Sequence, residues 1–350
     1  MKRFSVLCIC AGMLVLLAAC KGGVPGNPSP VPTGPSASPS PTPTPYMGPR
    51  IGAYNFATTA TTITTYPLLA NGATNPVQLI TGSATGLGLG YVGIAFDGSG
   101  NIYTGVGVGG TPTTILVFAS AANQNAAPAR TMTLPFSAIG IAMDGTGNFF
   151  TINAANGSLN RFPAAGSGAV APTASFQPVL RTPSGFLAAL ASAAATGSGD
   201  VYCGCAVFSG GTFSVAGVSI YSVSAGGAPR LITSFYDRHL SHPPVAVAVD
   251  TAGKIAYVGE IIGGVPIIFA YATTDSGLAT ATRIIAGPNT GMQSIDGLAV
   301  GSDRELYVAD GAGHRIEVFA DNASGNATAN RVITDTNLQF GPFGNTIALH

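Results

Sequence analysis

The chain has no tryptophan, and only 8% of its 350 residues are charged. Lys plus Arg number 14 and Asp plus Glu number 14, so the net charge is zero. A nucleic-acid binder needs a cationic surface and an acidic disordered tail needs a charge excess; the balance excludes both. Lys and Glu, which favour helices, are scarce. Nor is there a placed Ser-His-Asp arrangement, a phosphate-cradling glycine loop or a paired-carboxylate motif; Gly86-Leu87-Gly88-Leu89-Gly90 lacks the strand-to-helix setting of a nucleotide site. What is abundant is glycine, with 48 residues, and proline, with 25. With plentiful Thr, Ala and Val, they predict many short strands joined by tight turns. The length admits about two average domains or one large all-β domain.

At the N-terminus, Lys2 and Arg3 precede an apolar run from Phe4 to Ala19. Its length of about 16 residues is short of the roughly 20 that a spanning helix needs. A basic start, a hydrophobic stretch and small residues before a cleavage point make a secretory signal. The sequence Leu17-Ala18-Ala19-Cys20 resembles the lipobox of bacterial lipoproteins. That resemblance implies cleavage after residue 19, lipidation of Cys20 and attachment to a membrane of the cell envelope. In such lipoproteins an Asp after the cysteine retains the product at the inner membrane. Here the position is Lys21, which implies the outer membrane or the cell surface.

Residues 20–50 begin with Cys20 and continue as a Pro, Ser, Thr and Gly stretch, such as Ser36-Ala37-Ser38-Pro39-Ser40-Pro41. It has too little apolar surface to offset its ordering entropy, and repeated proline extends it at about 3.1 Å per residue, up to about 80 Å in all. It is expected to be a tether, followed by one folded domain over residues 51–350.

That domain is built on a repeat. Ile94-Ala95-Phe96-Asp97-Gly98-Ser99-Gly100-Asn101-Ile102-Tyr103 returns as Ile141-Ala142-Met143-Asp144-Gly145-Thr146-Gly147-Asn148-Phe149-Phe150. Weaker copies begin at Ala193, Val247, Leu298 and Ile347, about 47 to 54 residues apart, a propeller blade's length. Between them recur a run of Ile-x-Val-Phe type, as at Ile115–Phe118 and Arg315–Phe319, and a fourth run such as Arg283–Ala286 or Arg331–Thr334. Each unit reads as four strands. The last copy has only its first strand, Thr346–Leu349, and the missing three lie at Ile51–Phe56, Ile63–Tyr66 and Val77–Thr81. The reading is therefore all-β: a six-bladed β-propeller closed by its C-terminal strand joining three N-terminal strands, which also hides the array's edges. The insertion near Ser209 to Ala216 blurs the strand limits of one blade.

The phrase Ile-Ala-x-Asp-x-x-Gly-x-Ile-Tyr followed by Ile-x-Val-Phe resembles the NHL-type repeat of β-propellers. The repeat marks architecture and says little of activity. Asp97, Asp144 and Asp250 recur at the end of the first strand, where an Asp accepts hydrogen bonds from turn amides; repetition points to a structural role. In propellers the useful surface is the mouth, where first strands begin. The residues there are Val92, Ile139, Ala191, Val245, Asp296 and Asn345. Asp296 and Asn345, on adjacent blades, are the polar exceptions and the candidate ligand contacts, with Tyr91 beside Val92.

The domain also resembles, in architecture, the gluconolactonase and senescence-marker-protein family, which implies as an alternative a hydrolase with a divalent cation such as Ca²⁺ in the channel; hard cations need several oxygen ligands. His239 and His242, with His314 from another blade, are reminiscent of zinc-dependent amidating lyases built on NHL-type propellers, and neutral imidazoles suit zinc. The main expectation is a monomeric binding or scaffolding module without cofactor, for an envelope protein, a glycan or a small neutral ligand, and not for nucleic acid. Cys203 and Cys205, two apart on a strand, would close a strained ring as a disulfide and read as small strand residues.

Overall fold

The computed structural model describes residues 46–350 except 57–60, 91, 108–110, 183–185, 188, 210–211, 224–228 and 342–345. Cys20, Tyr91 and Asn345 lie outside the described residues.

Six small antiparallel sheets form the blades of a propeller. In blades 2 to 6 the chain runs outward from the axis. Their inner strands are Ile94–Phe96, Ala138–Met143, Ala189–Ala195, Ala246–Asp250 and Gly297–Val300. Blade 1 is shared between the ends of the domain: Ile347–Leu349 is its inner strand, followed by Arg50–Phe56, Thr61–Pro67 and Gln78–Ile80. Ile51 pairs with Leu349 and Ala53 with Ile347. Hydrogen bonds between Arg50 and His350 in both directions, each 3.0 Å, finish the seam. The expected closure is the observed one.

Six apolar cores follow, one between each pair of neighbouring blades. The alternation of each strand sends successive side chains to the blade on either side, so a single sheet contributes to two cores. At the centre of each inner strand stands alanine: Ala95, Ala142, Ala194, Ala248, Ala299 and Ala348. The inner strands converge on the axis, and a small side chain fits there.

The outer edges are covered by a regular handover. The connection between third and fourth strands of one blade pairs in parallel with the outermost strand of the blade before it. Gly168–Ala169 of blade 3 pairs with Arg130–Thr133 of blade 2, Gly277–Leu278 of blade 5 with Arg230–Asp237 of blade 4, and Gly72–Ala73 of blade 1 with Arg331–Thr334 of blade 6. Single bridges, Ile80 to Gln124 and Ile285 to Gly325, do the same for blades 1 and 5. Unpaired edge groups of blades 1, 2, 4, 5 and 6 are thereby satisfied. The insertion in blade 4 is a long hairpin: its second and third strands, Asp200–Ser209 and Thr212–Ser222, run 10 and 11 residues.

The repeated aspartates hold the inner turns. Asp97 Oδ1 accepts from the amides of Ser99 and Asn101, each 2.9 Å, and Asp144 Oδ1 likewise from Thr146 and Asn148. Asp250 takes the Gly253 amide at 2.7 Å. Cys203 and Cys205 are free thiols buried in the core between blades 3 and 4. Burial pushes both thiols up, which removes thiolate chemistry at neutral pH.

Candidate functional site

The axial channel is narrow, about 200 Å³, and is lined by the inner strands. Its side chains, among them Phe96, Met143, Val249, Val300 and Leu349, are apolar. Polar side chains among the described residues lie at both ends of the channel; those of the candidate site are at the mouth face, where inner strands begin and where the turns between second and third strands lie.

On blade 6 the mouth holds Asp296 at the head of the inner strand. Its Oδ2 accepts the Ser294 hydroxyl at 2.6 Å and the Gly311 amide at 2.7 Å. Burial pushes its carboxyl up against the pull of those two donors. The carboxylate thus faces blade 6's own turn. Behind it stands Asp310, fully buried at the end of the second strand Leu306–Asp310. Its two oxygens accept the amides of Gln293 at 2.9 Å and of Ser294 at 2.8 Å, so it fixes the connection arriving from blade 5. Glu317, 1% exposed on the third strand, takes Arg315 Nε at 2.6 Å on one oxygen and has no partner on the other. Burial and then the Asp310 charge push Glu317 to about 8, despite Arg315.

Blade 5 repeats the device. Glu260, on the second strand Ile255–Ile262, is fully buried and accepts the Ser241 amide at 3.2 Å. Burial pushes it to about 7 against the amides of Ser241 and His242. In blade 1 the corresponding acceptor is Asn55, with Gln339 N at 3.4 Å. The equivalence can be read from the chain as Tyr257-Val258-Gly259-Glu260 and Tyr307-Val308-Ala309-Asp310. Sequence reasoning missed these acids because it followed the inner strands alone. The signal was a charge three residues after the Tyr that recurs between repeats, in a strand otherwise apolar.

The histidines are spread over two parts of the mouth face. His239 follows blade 4, its Nδ1 2.8 Å from the buried Asp237, with the side chain 70% exposed. His242 bonds the Ser241 hydroxyl at 3.0 Å and stacks on Phe213. His314 belongs to the turn of blade 6, its Nδ1 3.0 Å from the Leu338 carbonyl. Among the described residues no three His, Cys, Asp or Glu side chains converge in a way that could hold a metal ion.

The architecture defines a β-propeller of six blades. No protein-family model matches the chain, and no curated protein matches it. Solved structures do. The chain is similar to one from the nidogen/laminin complex, with a TM-score of 0.55 at 10% identity, over 86% of this chain and 98% of that one. It is also similar to a protein from Lactobacillus plantarum, with a TM-score of 0.52 at 17% identity, over 82% and 83% of the two chains. At such identities the likeness is one of fold.

Proposed function

We propose that this chain is a lipid-anchored, extracytoplasmic six-bladed propeller of NHL-repeat type that serves as a binding or scaffolding module, with its ligand face at the mouth. The observation that carries this reading is the division of polar groups. The side chains that line the channel are all apolar and its polar groups are backbone, whereas the side chains of Asp296, His239, His242 and His314 stand at the mouth rim. A reactant in the channel would meet no described acid or base there; a ligand across the mouth would meet several. The anchor is read from Leu17-Ala18-Ala19-Cys20 and the tether behind it. The second strand of blade 1 starts at Arg50, on the face opposite the mouth. Low charge favours a neutral partner over electrostatic steering.

Three measurements test this. Palmitate labelling of the full chain should be present and should vanish in Cys20→Ala; an unlabelled product overturns the anchor. Affinity capture from envelope extracts should recover a partner that Asp296→Ala releases. A cation-dependent rise in melting temperature that Asp296→Ala abolishes would instead favour a metal-dependent hydrolase.

A further inference from the structure

A groove of about 750 Å³ lies on the rim, away from the channel, across the junction of blades 6 and 1. That volume lies within the roughly 300–1,000 Å³ of small-molecule sites. From its walls and floor we infer that it binds a neutral, hydroxyl-rich ligand, an oligosaccharide of two or three units. The inference rests on the proposed role as a binding module and names a second site and a ligand class for it.

Three separate segments build the groove, and each is fixed by the backbone. The blade 1 connection through Thr74 and Asn75 is tied to blade 6 by the Thr74 amide on the Thr334 carbonyl at 3.0 Å. The opposite wall is the turn of blade 6, where His314 has φ 52°. A carbonyl only accepts, so the His314 Nδ1 carries the proton it gives to Leu338 O, and in the neutral ring Nε2 remains an acceptor. The floor is Asp335, held by the Tyr66 hydroxyl at 2.9 Å and by the Asn337 amide at 3.0 Å. Such a floor does not have to reorganise when a ligand arrives.

The functional groups left over decide the ligand. The side-chain amides of Asn75 and Gln339 are exposed and make no hydrogen bond within the described protein, and each offers both a donor and an acceptor. Thr334 adds a hydroxyl and His314 an acceptor nitrogen, while Asp335, which already accepts from Tyr66, Thr336 and Asn337 and has no cationic partner among the described residues, closes the floor. No lysine or arginine lines the groove, so it offers a phosphate or carboxylate nothing to pair with. Paired donors and acceptors on short, planar side chains match the vicinal hydroxyls of a sugar, which are donor and acceptor at once. The groove's volume of about 750 Å³ exceeds what a single hexose would fill.

The test uses the full chain in detergent on an array of neutral di- and trisaccharides of glucose, galactose, mannose and N-acetylglucosamine, with titration calorimetry on those that bind. At least one saccharide should bind. Asn75→Ala and Gln339→Ala should each weaken it by about tenfold, the worth of one neutral hydrogen bond with its partner left bare. Both side chains are exposed and make no hydrogen bond among the described residues, and alanine keeps the backbone bonds of Gln339, so folding should be unaffected, which unchanged melting curves would verify. Binding to no member of the array overturns the groove and leaves the mouth reading to its own capture experiment. Binding that ignores both variants but is lost in Asp296→Ala places the sugar at the mouth and overturns the groove alone.

Discussion

Arg331 lies over the ring of Tyr307, with the guanidinium carbon 5.5 Å from the ring centroid and Nη2 2.9 Å from the hydroxyl. The pair reaches across to the next blade: Arg331 Nη1 donates to the carbonyl of Leu68 at 2.7 Å, and the Tyr307 hydroxyl sits 3.3 Å from the same oxygen. Arg130 with Tyr103 and Arg283 with Tyr257 do the same at their junctions. At the seam the parts are exchanged. Gly52 stands where the tyrosine would, and Arg50 and Gln78 reach the Ser120 carbonyl, each at 3.1 Å. A Cβ at residue 52 would meet the Phe96 ring at 2.7 Å, and the Arg50 guanidinium lies over that ring instead.

The latch makes a graded prediction. Arg331→Ala should cost about 2 kcal/mol, since it removes a stacked cation that also pairs with Glu305 and leaves the carbonyls of Leu68 and Ala70 short of a donor. Tyr307→Phe should cost about 1 kcal/mol, a single hydroxyl's worth. Arg331→Lys should resemble the alanine variant, because an ammonium cannot span the fork. Thermal melting followed by circular dichroism reads all three; equal melting of wild type and Arg331→Ala would remove the latch from the account of stability.

Removing residues 346–350 should be far more damaging than its length suggests. Ile347 and Ala348 pack in two different inter-blade cores, and Ile51, Gly52 and Ala53 would lose their strand partners. The Thr346 hydroxyl also holds the Asp296 carbonyl at 3.0 Å, so the mouth loosens with the seam. The expected loss is on the order of 5 kcal/mol, with a broadened transition. A truncated chain that melts as sharply and as high as the parent would show that the ring does not depend on closure.

Much of this was legible in the repeat. The phrase ending Phe96-Asp97 fixed the inner strand and its turn, because an apolar strand must stop where an Asp can take turn amides. The third and fourth strands fell where Ile115–Phe118 and Arg331–Thr334 were read. The parallel handover was not legible, since Gly168–Ala169 and Gly72–Ala73 are two-residue strands with no pattern of their own. They exist only because a neighbouring edge offers partners. For the candidate site, the repeat spacing put Asp296 just before the inner strand of blade 6, and it immediately precedes Gly297–Val300. Its orientation toward Ser294 and Gly311 depends on a turn geometry that no spacing encodes.

Glu317 gives stability a pH dependence with a definite sign. Its folded-state value is raised to about 8 from an ordinary 4.5, so between those values the folded protein binds more protons than the unfolded one. Stability should therefore be fully present below about pH 4.5 and be lost as pH rises through about 8. The groups facing it are Asp310, whose charge opposes ionisation, and Arg315, which favours it. Glu317→Gln keeps the shape and removes the proton, so its melting temperature should decline less between pH 5 and pH 8. A variant that tracks the parent over that range would show that Glu317 ionises freely in the fold.

The glycine-rich connection between blades 1 and 2 makes the sharpest steric prediction. At Gly90 a Cβ would stand 2.0 Å from the Gly105 carbonyl oxygen, a backbone atom that cannot swing aside. The approach is tight because Gly90 bridges to Gly107, and Gly107 N donates to Leu89 O at 2.9 Å, which ties this connection to the second strand of blade 2. Gly90→Ala must push the connection off that strand and should cost about 3 kcal/mol or more. Gly88→Ala is the control. No heavy atom lies within 4 Å of a Cβ built there and its φ is not in the left-handed region, so melting should shift little. If the two variants melt alike, the connection has room to move and the contact at Gly105 does not hold it.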